Sequence, residues 1–170
     1  MACKNCKLNP VWKFTNQIEL CENCFTDYFE RKTFRTIRKF NMLPENKIIR
    51  LKRSSSLNYK VLTFVLKKKF ELKISDSKIN FSSENLSDSA EKIFTNILIG
   101  KFNGPMPKDD VSRPLYFLSD REIELYAHIN RIKGKKRNRN KRVQKLFNKF
   151  MKDNSDLEHN VVNALSQLKE

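Results

Sequence analysis

The sequence predicts an α+β protein: a small cysteine-built ribbon, a mixed centre and a helical C-terminal part. Three observations predict it. All four cysteines lie within the first 24 residues. Apolar residues then recur at three- and four-residue steps through most later segments, the spacing of one helix face. Outside the ribbon, short alternating runs, the pattern of half-buried strands, are confined to residues 47–81.

The cysteines come as Cys3-x-x-Cys6 and Cys21-x-x-Cys24, with fourteen residues between the pairs. A two-residue spacer lets both thiolates of a pair reach one ion, and two pairs make the tetrahedral S4 set that suits zinc. Two disulfides or an iron–sulfur centre are the alternatives. Disulfides are disfavoured because the N-terminus lacks the apolar core of a secretion signal. Zinc is therefore the expected cofactor, in a structural role, because a closed S4 site leaves no position for substrate. Between the pairs, Pro10–Phe14 and Ile18–Leu20 flank Thr15-Asn16-Gln17 as a hairpin.

Phe25 to Met42 follows as a helix, with Phe25, Tyr28, Phe29, Phe34, Ile37 and Phe40 as its apolar stripe. A strand is expected over residues 47–53 and a turn at Ser54-Ser55-Ser56. A helix over 57–69 and short strands over 70–74 and 78–81 complete the mixed region. The next helix should start at Asp88-x-x-Glu91, a capping-box variant, and stop at Gly100. Residues 101–114 read as a loop, with Asp109-Asp110 in it as solvated acids. Ser119-x-x-Glu122 caps a helix ending near Gly134. One helix follows through Val143 and Phe150, and Ser155-x-x-Glu158 caps the last, carrying Leu168. The expected domain limits are 1–25, 26–130 and 131–170.

Charge supplies the functional signal. The 170 residues carry 35 basic and 19 acidic side chains, a net +16. Such a surplus self-repels unless a polyanion neutralises it. Residues 31–73 hold a net +12, and residues 131–152 hold eleven bases and no acid. These two blocks point to phosphate contact. Within them, the expected RNA-binding residues are Arg31, Arg35, Arg38 and Lys39 on the first helix, and Arg50, Lys52 and Arg53 on the strand. Lys135, Lys136, Arg137, Arg139, Lys141 and Arg142 belong to the KKRNRNKR run. With 3 Gly, 4 Cys and 39 % hydrophobic residues, collagen, a disulfide scaffold and full disorder are excluded. No apolar run reaches the roughly 18 residues of a spanning helix, so an intracellular protein is expected.

Four stretches in order resemble the tRNA 2-thiolation enzymes of the archaeal and eukaryotic cytoplasm, adenylating proteins of the PP-loop ATP pyrophosphatase type. They are Cys3-x-x-Cys6 with Leu20-Cys21-x-x-Cys24-Phe25, Arg35-Thr36-Ile37-Arg38-Lys39-Phe40, Asn85–Glu91 with Asn96-Ile97-Leu98, and Arg113-Pro114-Leu115 with Glu122–Ala127. The resemblance implies a truncated α/β PP-loop remnant behind the ribbon and a surface shaped for tRNA. The family's ATP loop, SGGKDS, falls at Arg53–Asn58, where no glycine stands and Leu57 replaces the aspartate. No cysteine follows Cys24, so no thiolate is left for sulfur transfer. His128 and His159 read as structural histidines. The expectation is a catalytically degenerate relative: a non-enzymatic, cytoplasmic zinc protein binding tRNA or ribosomal RNA, in a tRNA site of the ribosome as a dormancy factor. The alternative is a residual enzyme or accessory subunit of wobble-uridine 2-thiolation.

Overall fold

The computed structural model describes residues 2–137, 141–154 and 156–167. The ribbon pairs β1 (Trp12–Lys13) antiparallel with β2 (Glu19–Leu20), Trp12 facing Leu20 and Lys13 facing Glu19. Gln17, at φ 66°, turns the chain between them. Helix α1 (Glu22–Lys39) begins three residues before the expected Phe25. The Phe25 N–H already donates to the Cys21 carbonyl at 2.8 Å, so the second cysteine pair is itself the first helical turn.

The helix ends short of Met42 because Asn41 adopts φ 48°. Met42 N–H then returns to the Ile37 carbonyl at 3.0 Å and Asn41 N–H to Arg38 at 3.2 Å, the bond pair of a Schellman stop.

Strand β3 (Ile49–Leu51) leads through the serine turn into α2 (Leu57–Leu66), and β4 (Leu72–Ile74) returns parallel to β3. The strand expected over 78–81 is a single bridge, Phe81 against Leu51. Asn80 explains it: its side chain accepts the Arg50 N–H at 2.7 Å and donates to the Ile48 carbonyl at 3.0 Å, standing in for a ladder. Phe81 also bridges Ser112, so the segment expected to be free loop extends this small parallel sheet.

Helix α3 (Leu86–Leu98) is capped by Asn85, not Asp88. Asn85 accepts from Asp88 N–H at 2.9 Å and Asp88 accepts from Asn85 N–H at 3.1 Å, which fills the box one turn earlier than the sequence pattern indicated. Gly100, at φ 76°, ends α3 as expected. Helix α4 (Asp120–Ile129) has the expected Ser119/Glu122 box, but stops before Gly134 because Arg131 turns left-handed at φ 55°. Helices α5 (Lys141–Asp153) and α6 (Leu157–Gln167) complete the chain. The expected Ser155 cap and Leu168 lie outside the described residues.

Two apolar clusters hold these elements. The larger joins β3, α2 and α4 to the buried stripe of α1, with Phe29 stacked on Tyr126 at 4.1 Å. The Tyr126 hydroxyl donates to Glu30 at 2.7 Å, so the ring is buried with its polar atom satisfied. The smaller cluster sets Leu86, Ala90 and Ile93 of α3 against Phe147 of α5 and Val162 and Leu165 of α6. In the loop before α4, Arg113 holds Glu84 and Asp109, each at 2.7 Å. Asp109 is therefore paired rather than merely solvated.

Candidate metal centre and basic groove

The four cysteine sulfurs all lie within 4.8 Å of one another, with Cys6 and Cys21 at 3.3 Å and Cys6 and Cys24 at 3.7 Å. None is disulfide-bonded. A tetrahedral ion with metal–sulfur bonds of about 2.3 Å needs sulfur–sulfur edges of about 3.8 Å, so this donor set fits one ion. Local backbone prepares it. Burial works against ionisation of Cys3, yet the backbone amides of Cys21, Asn5 and Cys6 bring its thiol down to about 6. Burial and the neighbouring Cys21 and Cys6 sulfurs push Cys24 up to about 12. A cation among the four sulfurs would favour their thiolate forms and hold them together.

A groove of about 980 Å³ runs from this centre along α1. Arg31, Arg35 and Lys39, spaced by one helical turn each, line it, and Arg38 is exposed but not on its wall. Lys32 also faces the groove, but its ammonium is engaged by the Tyr28 hydroxyl at 2.7 Å and by Glu122 at 3.2 Å. Across from α1 stand Phe14 of the ribbon, Phe117 and, from α6, His159. Burial, with the Lys32 charge, holds the His159 pKa below its ordinary value. Neither Phe117 nor His159 was identifiable as a site residue from sequence, since nothing local marks them. His128, by contrast, is exposed on α4.

The other basic residues gather around the turn between β3 and α2. Lys52 and Arg53 are exposed, and Arg50 is half-buried. Lys135 joins this turn through its backbone: its N–H donates to the Ser55 carbonyl and its carbonyl accepts from Leu57 N–H, both at 2.8 Å. Gly134 permits the approach, since a Cβ there would sit 2.7 Å from Leu57 Cα. The serines are used locally: Ser56 caps α2, and Ser54 accepts from Ser56 N–H at 3.1 Å. The two basic blocks, remote in sequence, thus meet here. Lys136 pairs at the surface with Glu124 at 2.8 Å, and Lys141 is exposed. Arg139 and the side chain of Arg142 lie outside the described residues.

No protein-family model and no curated protein matches the chain. Among solved structures it is similar to the U34-tRNA thiolase NcsA from Methanococcus maripaludis, a structure with its 4Fe-4S cluster. The TM-score is 0.79 at 15 % identity, over 99 % of this chain and 87 % of that one. The fold is thiolase-like. At this identity the likeness is one of fold alone.

Within the thiolase-like fold, one predicted contact residue turns inward. Arg137 reaches Asp88 at 2.8 Å and Glu91 at 2.6 Å from α3, Asp120 at 3.4 Å from α4, and the Ser87 carbonyl at 3.2 Å. All four side chains are largely shielded, so Arg137 is a tie between two helices and the segment behind them. Removing it takes one shared cation away from three partly buried carboxylates. Arg137→Met should cost about 3–5 kcal/mol of folding stability, read as a fall in urea midpoint. An unchanged midpoint would exclude this structural role.

Proposed function

We propose that this chain is a non-enzymatic zinc protein that binds tRNA or ribosomal RNA and serves as a ribosome dormancy factor, held in a tRNA site in the cytoplasm. The observation carrying the loss of catalysis is the turn before α2. A nucleotide phosphate bound there would need helix-end amides and glycines that let the backbone close on it. Leu57 N–H instead donates to the Lys135 carbonyl, and the turn is Ser54-Ser55-Ser56. That amide is therefore already engaged within the chain, which supports the reading of a loop that binds no nucleotide.

The close S4 donor set supports zinc in this reading. The ion's chemistry is to hold the ribbon closed, while the RNA is held by the chain's cations. Arg forks on α1 and around the serine turn supply charge and bidentate geometry for phosphates. A thiolase-like body suits tRNA or a site that accommodates tRNA.

The fold likeness, spanning 99 % of the chain, favours one other reading: an accessory subunit or residual enzyme of wobble-uridine 2-thiolation. A single pair of assays separates them. The dormancy reading expects cosedimentation with ribosomes at 50 mM salt and no AMP formed from ATP with tRNA present. tRNA-dependent AMP formation overturns it in favour of thiolation, and failure to bind ribosomes removes the ribosomal part.

A further inference from the structure

We propose that the groove between the metal ribbon, α1 and α6 takes an unpaired nucleotide of single-stranded RNA, with its base against the aromatic wall and its flanking phosphates on α1. This rests on the RNA-binding part of the reading above and adds where, and in what form, the RNA is held.

The groove's chemistry divides into two sides. One is cationic: Arg31, Arg35 and Lys39 present charge at one-turn intervals along α1, and Lys4 adds another from the ribbon. Asp27 is the acid among them, and it stands 3.6 Å from Arg31 at the exposed surface. The other side is aromatic, with Phe14 and Phe117 bordering the same space, and Tyr28 of α1 itself adds a ring beside the cations. The Tyr28 hydroxyl is committed to Glu122 at 2.8 Å, which fixes its ring as wall rather than as a donor. Phe14 is braced edge-on against that ring at 4.8 Å, and Phe117 is stacked on Phe40 at 5.8 Å. His159 adds a half-buried imidazole with hydrogen-bonding capacity for a base edge.

A duplex hides its base faces and shows only phosphates, so it would use the cationic side alone. An unpaired nucleotide uses both, since stacking on aromatic rings and phosphate pairing are the two parts of single-strand recognition. The volume, about 980 Å³, matches the upper range of about 300–1,000 Å³ for small-ligand sites, ample for a base with its sugar. An acidic protein segment would satisfy the charges but leave the aromatic wall unexplained.

The test uses the full chain and two RNAs of equal length, a hairpin with 2-aminopurine in its unpaired loop and a fully paired duplex. The hairpin should bind on the order of tenfold more tightly, with quenching of the aminopurine by ring stacking. Phe14→Leu with Phe117→Leu should bring the hairpin to duplex affinity and abolish the quenching, leaving duplex affinity as it was. Should that variant not fold, His159→Ala gives a second probe of the same wall, expected to weaken the hairpin selectively. Equal wild-type affinity for both RNAs without quenching overturns the groove assignment but leaves RNA binding standing. Binding to neither RNA overturns the RNA-binding reading itself.

Discussion

Removing the metal with a strong chelator, or replacing Cys24 by serine, opens the ribbon and exposes Trp12 to water. Residues 1–25 are too few to bury a core of their own, so beyond their packing on the larger cluster the ion would supply the cohesion that closes the ribbon. Structural zinc contributes an apparent 10–16 kcal/mol or so in comparable modules, as large as the whole stability of an ordinary domain. Trp12 is the one tryptophan in the chain and packs on Phe25 at 5.4 Å and Phe14 at 6.0 Å. Its emission should shift to the red as those contacts go.

Elemental analysis should find one zinc per wild-type chain and far less in Cys24→Ser. Cys21 and Cys24 form the first turn of α1, so the loss should also fray that helix from its N-terminal end. Trp12 emission that ignores both chelator and mutation would refute the structural site. Iron and inorganic sulfide in place of zinc would replace the ion by a cluster.

The features legible in the sequence are the local ones. Two cysteine pairs with a hairpin between them specify the ribbon, because knuckle and turn are decided within a few residues. The same holds for Ser119 and Glu122, a box closed by neighbours three apart. Asn80 shows the limit. Its pattern reads as strand, but its side chain supplies the bonds that a strand backbone would, to residues about 30 positions away.

Arg137 shows the same limit at the site. It is one of several bases in a run, and only the convergence of α3 and α4 gives it three carboxylates while Lys135 and Lys136 remain exposed. Phe117 and His159 join the groove through tertiary packing alone. The stops of α1 and α4 belong here too, since Asn41 and Arg131 pay the left-handed cost that the sequence would assign to glycine.

Arg35→Glu should weaken RNA binding on the order of 10–100-fold at 50 mM salt while leaving the protein as stable as before, or slightly more so. The arrangement of α1 sets the two effects in opposite directions. Arg35 has Arg31 one turn before it, Lys39 one turn after it, and Lys32 and Arg38 at the three-residue steps. Like charges at these spacings destabilise a helix by about 0.2–0.5 kcal/mol a pair. Glutamate at this position would turn both one-turn repulsions into attractions, and ahead of Lys39 it has the favourable order for a helix pair. Since Arg35 is exposed, no packing is lost.

If the stripe were only a solvated face, the substitution would raise the melting temperature and change nothing else. As a phosphate-binding face it must also lose affinity, because one contact disappears and a negative charge stands in the groove. The slope of log affinity against log salt should then fall by about 0.7–0.9, the share of one phosphate. Raised or unchanged stability together with lost affinity and a shallower slope identifies a helix whose charge pattern is set by its ligand. Unchanged RNA affinity would take α1 out of the interface.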